Sequence, residues 1–383
     1  MIVHPAEFNA RKEAVFAALA RADGGARRLL FVPLSFRDFP ETAERTATAL
    51  ARAKRQPKGL LRRLKRLMLR GQYIWSRRYV LRHPDHVAVA WNGLTGTRLA
   101  FLSAARDAGA PTLHAELAPL PGRITLDPRG VNAESSVPQD TDFYFRWAGD
   151  DPARTGDGWR ALGQSLTARP SRRADVGQGG GATPDAPFLF CPLQVPDDSQ
   201  VTLFSGWCGG MDGFLGALMR AAEHLPDGWH LRLKEHPSAR VSLRPLIEPM
   251  FGTGKAILDN SSDSFAQLAA ARGVVTLNSS MGLQAFFHDK PVITVGRAFF
   301  ALPGLVTPMT DQRALEAAFA APDRLSFDPA FRARFMNWLD QVYYPRFAWP
   351  SGKADLTAFA AKIAEARAVS AKANALPPTR RLR

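Results

Sequence analysis

The chain has 383 residues, 46% of them hydrophobic, and a formal net charge of +15; that length exceeds one ordinary core and predicts two domains. No apolar run approaches the roughly 20 residues of a membrane-spanning helix, and the start, Met1-Ile2-Val3-His4-Pro5, has no signal-peptide pattern. Two cysteines, Cys191 and Cys208, supply neither a disulfide framework nor a zinc spacing, so a reducing cytosol is expected.

Taken in order, Ala6 to Ala22 reads as a helix and Arg28 to Leu34 as a buried strand. The charge is uneven: Arg52 to Arg82 holds twelve Lys or Arg and no Asp or Glu. Within it, Leu60, Leu64 and Leu67 share one helical face with cations elsewhere. Such a helix suits an anionic membrane surface, at about 1 kcal/mol per cation near the headgroups. It reads equally as a solvated helix covering its domain, and the leucine face argues against nucleic acid as the partner. His86 to Gly93 is a second strand, Thr97 to Gly109 a helix, and Thr112 to Glu116 a third strand. This alternation implies parallel βαβ units, with Asn92 and Glu116 at carboxyl strand ends, where open sheets bind ligands. Pro119 to Pro138 is turn-rich.

Residues 1–163 are therefore assigned to an N-terminal α/β domain and 164–187 to a flexible linker, on the strength of Gly177-Gln178-Gly179-Gly180-Gly181. A phosphate-binding glycine loop is rejected there, because the Lys-Ser/Thr of a P-loop is missing. A second α/β domain spans 188–345. Its strands are Phe188 to Gln194, Trp229 to Leu233, Val274 to Leu277 and Val292 to Val295. Helices follow at Met211 to Leu225, Ser264 to Ala271, Met281 to His288 and Pro329 to Val342, the last with Asp328 as N-cap. Residues 346–383 are a helix, 354–371, and a disordered basic tail.

Three strand ends of the second domain carry polar residues: Gln194 to Gln200, Lys234 to Pro237, and Asn278 to Ser280. In a doubly wound sheet they share one edge. Lys234 and His236 flank Glu235 and point the same way from extended backbone, as a pair to neutralise a phosphate. Asp198 is a nucleophile or an orienting group. Asn278-Ser279-Ser280 leads into a helix whose N-terminus is an anion cradle, with Gly282 admitting close approach; an ordinary capped helix is the alternative.

These residues, in this order, resemble the capsule polysaccharide synthesis family of bacterial β-Kdo transferases. The pieces are Trp91-Asn92-Gly93, Glu116, Asp127-Pro128-Arg129-Gly130-Val131-Asn132, Pro192-Leu193-Gln194 with Asp198-Ser199, Lys234 with His236-Pro237, and Asn278 to Ala285. The resemblance implies a GT-B arrangement of two Rossmann-like domains facing a cleft, and retaining transfer of Kdo from CMP-Kdo onto a lipid or saccharide acceptor, lyso-phosphatidylglycerol being one such lipid. It implies Asp198 as nucleophile, His236 and Lys234 on the cytidylate phosphate, and Ser279 and Ser280 closing on phosphate or ribose. Gln194, Pro237, Asn278, Gly282 and Gln284 complete the donor site. Glu116 faces acceptor or sugar, with Asn92, Asp127 and Asn132 on the acceptor side. Neither metal nor other cofactor is expected, nor a nucleic-acid partner. The expected location is the cytoplasmic face of the inner membrane. Two departures stand out: Gln284 replaces a common glutamate, and Ala301-Leu302-Pro303-Gly304-Leu305 lacks the family's tryptophan. The competing readings are a GT-B transferase for another nucleotide sugar, or a non-catalytic polysaccharide- or lipid-binding export module.

Overall fold

The computed structural model describes residues 1–30, 35, 37–166, 171–179, 186–349 and 351–375. The chain forms two α/β units, Met1–Val137 with Asp340–Arg383, and Pro138–Leu339. The expected boundaries differ from these. Residues 138–163 belong with the second unit, and the C-terminal helix belongs with the first.

In the first unit, β1 (Ile2–Pro5), α1 (Ala10–Ala22) and β2 (Ala26–Leu29) are followed by α2 (Thr42–Ala51), α3 (Gly59–Arg82), β3 (Val87–Trp91), α4 (Gly96–Asp107), β4 (Thr112–Leu117) and β5 (Ile124–Asp127). The sheet order is β2-β1-β3-β4-β5; β5 alone runs antiparallel, against β4. Both β1 and β5 were missed from sequence, each being only four residues long. The expected strand ends at Leu29; Phe31 to Leu34 lie outside the described residues. Val15, Phe16 and Leu19 of α1 cover one face of the sheet. Phe101, Leu102, Tyr79 and Val80 cover another set of its side chains.

The second unit contains α5 (Thr141–Ala148), the short α6 (Pro152–Thr155), β6 (Phe188–Pro192), α7 (Ser199–Phe204), α8 (Met211–Ala222), β7 (His230–Lys234), α9 (Arg244–Ile247), β8 (Ala256–Leu258), α10 (Ser264–Ala270), β9 (Gly273–Thr276), α11 (Ser280–Gln284), β10 (Val292–Thr294), β11 (Thr307–Pro308), α12 (Gln312–Ala320) and α13 (Pro329–Trp338). Asp328 caps α13 with Pro329 at its first position, as expected. All six strands are parallel, ordered β11-β10-β9-β6-β7-β8. Numbered within the unit, this is the 3-2-1-4-5-6 order of a dinucleotide-binding sheet, and its switch point lies between β6 and β9. The central strands are largely apolar because both faces are covered: Leu189, Cys191, Leu231, Val275 and Ile293 pack with Phe214, Leu218 and Leu315.

The chain then returns to the first unit through the hairpin β12 (Phe347–Ala348) and β13 (Lys353–Ala354), and ends in α14 (Leu356–Ala375). Phe347, Phe359, Ile363 and Ala366 complete the α1 side of that unit's core. The tail from 376 lies outside the described residues.

Candidate functional site

A pocket opens at the carboxyl ends of β6, β7 and β9, beside the switch point. His236, Pro237, Ser279, Ser280 and Gln284 line it. The His236 Nδ1 accepts from the Ser238 N–H at 3.0 Å, so the neutral ring carries its proton on Nε2 and is a donor there. Ser279 caps α11, accepting from the Met281 N–H at 3.2 Å. The Ser280 hydroxyl and the Gln284 amide have no hydrogen-bond partner among the described residues.

Lys234 borders the same pocket but plays another part than expected. It is 2% exposed, and its Nζ donates to the carbonyls of Gly177 (2.9 Å), Asn260 (2.9 Å) and Ser262 (2.7 Å). All three ammonium protons are spent on backbone, so it cannot also hold a ligand phosphate. Burial lowers its pKa, with Asp259 and Asp263 offsetting part of the effect. Glu235 beside it is also buried. Burial alone would raise its pKa, but hydrogen bonds from Arg173, the Leu243 N–H and Asn260 outweigh that and hold it low.

These bonds overturn the flexible linker over much of its described part. Gly177 N–H donates to the Asn260 carbonyl at 2.7 Å, Gly179 N–H to Ser261 at 3.0 Å, and Asp263 N–H to the Gly179 carbonyl at 2.8 Å. A Cβ on Gly177 would sit 3.3 Å from the Ser261 carbonyl oxygen. Glycine there allows backbone to lie against backbone, not free motion. The segment forms one wall of the pocket, with Gln178 facing in. Sequence reading missed Gln178, Ser264 and Phe265 as pocket residues; the one available signal was Asp263-Ser264 opening α10 after a strand.

Four other expected site residues are structural. Gln194 Nε2 donates to Asn278 Oδ1 at 2.9 Å, and Asn278 Nδ2 donates to the carbonyls of Gln200 and Phe204 at 2.9 and 3.0 Å. Both side chains are spent tying α7 to the β9 turn. Gly282 is buried, and a Cβ on it would stand 3.0 Å from Thr276 Cγ2 and 3.1 Å from Phe300 Cζ. It admits the protein's own side chains, not a ligand. Asp127 is fully buried and accepts from Arg129 N–H, Gly130 N–H, Ser136 N–H, the Ser136 hydroxyl and the Tyr343 hydroxyl. It anchors the turn after β5 and is not presented to an acceptor. Asp198 is exposed and caps α7, accepting from Gln200 N–H at 2.8 Å. It is not among the residues lining the pocket.

In the first unit, Asn92 follows β3 with φ 61°, and Gly93 follows with φ 79°. Asn92 Nδ2 donates to Glu116 Oε2 at 3.0 Å, and its Oδ1 accepts from the Leu94 N–H at 3.1 Å. Its carbonyl accepts from the His114 Nδ1 at 2.8 Å. The half-buried Glu116 carboxylate is thus held by a residue in a left-handed conformation, a form of strain that clusters at functional sites. Asn132 also has a positive φ, 55°, and opens a 3-10 turn.

The expected basic amphipathic segment is helical from Gly59. Its second half packs inward through Leu69, Tyr73 and Ile74, whereas Leu60, Leu61 and Leu64 are 70, 66 and 53% exposed. Arg62, Arg63, Lys65 and Arg66 lie among them with no carboxylate partner among the described residues. No helix among the described residues is long and apolar enough to cross a membrane.

Two α/β units, the second with a pocket at its switch point, give the chain a fold of the GT-B class. Residues 172–347, which contain that pocket, match the capsule polysaccharide biosynthesis protein family. The chain is 33% identical over 227 residues to protein FixF of Sinorhizobium fredii, covering 58% of this chain and 52% of that protein. It is 30% identical over 175 residues to the capsule polysaccharide modification protein LipB of Neisseria meningitidis, covering 41% of each. The chain thus spans about half the length of these relatives or less. Its fold matches the solved β-Kdo 2,7 transferase of KpsC from Thermosulfurimonas dismutans, with a TM-score of 0.52 at 15% identity over 95% of this chain and 99% of that one.

Proposed function

We propose that this chain is a retaining glycosyltransferase that moves Kdo from CMP-Kdo onto a lipid or saccharide acceptor during capsule primer synthesis. The observation that carries the reading is the pocket at the β6/β9 switch point, where His236, Ser280 and Gln284 present unlike polar groups to one small volume inside the family-matched region. A nucleotide monophosphate leaving group suits it. His236 donates from Nε2, and the backbone of the Ser279-Ser280 turn opens α11. Lys234 contributes its charge from beneath, through the wall it holds together. As the C2–O bond to cytidylate breaks, negative charge grows on the phosphate, and these groups stabilise it.

The exposed Asp198 carboxylate is the proposed nucleophile; it forms a glycosyl ester as CMP departs. An acceptor hydroxyl then displaces Asp198 at the same carbon and gives its proton to a base, for which Glu116 is the first unit's candidate. Two inversions give net retention. The apolar and cationic start of α3 is the proposed contact with an anionic membrane surface, where a lipid acceptor such as lyso-phosphatidylglycerol resides.

The test is incubation of purified protein with CMP-Kdo made in situ and synthetic lyso-phosphatidylglycerol, followed by mass spectrometry. One added Kdo is expected with the native chain and none with Asp198→Ala or His236→Ala. Turnover of UDP- or GDP-sugars in place of CMP-Kdo would move the protein to another donor class. Neither transfer nor donor hydrolysis with any sugar would leave a non-catalytic export module.

A further inference from the structure

Two side chains of the pocket are left without a task by the reading above. Phe265 is half-buried in the first turn of α10 and lines the pocket, with the His288 ring 6.4 Å away at 25°. Gln178, on the docked glycine segment, lines it too. Gln178 Oε1 accepts from the Ser264 N–H at 2.9 Å and the Ser264 hydroxyl at 3.2 Å. Those bonds identify its oxygen, because a backbone N–H only donates. The other end of the carboxamide is therefore an NH₂ donor, and it has no partner among the described residues. Ser264 is the chain neighbour of Phe265, so the donor and the aromatic ring are tied together.

A flat apolar ring beside an unspent amide donor matches one ligand part. A nucleobase offers a π-face for stacking, and the pyrimidine of a cytidine nucleotide offers two adjacent acceptors, O2 and N3. We infer that Phe265 and Gln178 form the base-binding end of the pocket, with Phe265 stacking on a pyrimidine and the Gln178 amide reading its acceptor edge. The inference rests on the nucleotide-sugar reading and adds to it the residues that select the base. It also gives the docked segment a role: the Lys234 bond to the Gly177 carbonyl fixes the backbone from which Gln178 extends.

The test is calorimetric titration of the full chain with CMP, UMP and ribose 5-phosphate. Phe265→Ala is expected to weaken CMP by about ten- to a hundredfold and leave ribose 5-phosphate unchanged, with Phe265→Trp retaining CMP affinity. Gln178→Glu keeps the acceptor for Ser264 but replaces the donor by a second carboxylate oxygen. It should lower CMP affinity by about tenfold or more and shift preference toward UMP, whose N3 carries a proton. Equal loss of CMP and ribose 5-phosphate in Phe265→Ala, or no loss of either, overturns the base placement while leaving the nucleotide pocket standing. A native chain that binds neither CMP nor UMP overturns both readings. Thermal unfolding of each variant separates a collapsed pocket from a lost stack.

Discussion

Lys234 and Gly177 lie 57 residues apart in sequence, and the ammonium of one donates to the carbonyl of the other at 2.9 Å. Replacing the lysine takes that donor from the Gly177 carbonyl and one of two donors from each of the Asn260 and Ser262 carbonyls. Unsatisfied buried groups cost about 1–3 kcal/mol each, partly recovered where water enters. Lys234→Met should lower stability by about 2–4 kcal/mol in urea unfolding. It should also raise amide exchange across 177–179, which a ligand-only lysine would leave unchanged.

Asn92 holds Glu116 from a left-handed backbone. Alanine there would confound loss of the amide with backbone strain of about 1–2 kcal/mol. Asn92→Gly removes only the amide. Stability should change by less than about 1 kcal/mol, while kcat for transfer falls by about tenfold or more and the KM for donor stays put. A change confined to KM would remove Glu116 from the chemical step.

His114 is fully buried, and that burial, with the nearby Arg106 charge, pulls its pKa from 6.5 to about 4. Between those values the unfolded chain binds more protons than the folded one. Stability is therefore complete above about pH 6.5 and falls as the pH drops toward 4, by up to roughly 3 kcal/mol. Urea titrations from pH 4.5 to 7 should show this slope in the native chain and a shallower one in His114→Gln.

Gly282→Ala brings a methyl to 3.0 Å from Thr276 and 3.1 Å from Phe300. The expected result is a stability loss of about 1–3 kcal/mol from overpacking. Donor affinity per folded molecule should not change.

For α3, replacing Leu60, Leu61 and Leu64 by serine should cut sedimentation with anionic vesicles by about tenfold or more. Thermal stability should hold, because these side chains touch little of the core. Equal binding to zwitterionic vesicles by native and variant chains would count against the membrane role.

The strand ends at Pro192, Lys234 and Asn278 were legible in the sequence because buried parallel strands are short apolar runs that stop at polar residues. The capping of α13 was legible in Asp328-Pro329. What those polar residues do was less legible. Gln194, Asn278 and Asp127 look the same in sequence whether they face a ligand or the protein's own backbone, since the deciding partners lie tens of residues away. The glycine string at 177–181 carries no periodicity. Its docking depends on carbonyls of 260–262 and on a lysine from β7, and no local pattern encodes that.

The first unit is built from both ends of the chain, with the second set between them. Phe359 and Ile363, which close its core against Val15 and Phe16, come from α14. On a ribosome, the unit begun first is finished last. Residues 138–339 form a continuous stretch that can collapse as soon as it emerges, while α1 waits for α14 with an uncovered apolar face. Early termination of synthesis should therefore strand a product whose central portion is native and whose amino-terminal third is a chaperone client.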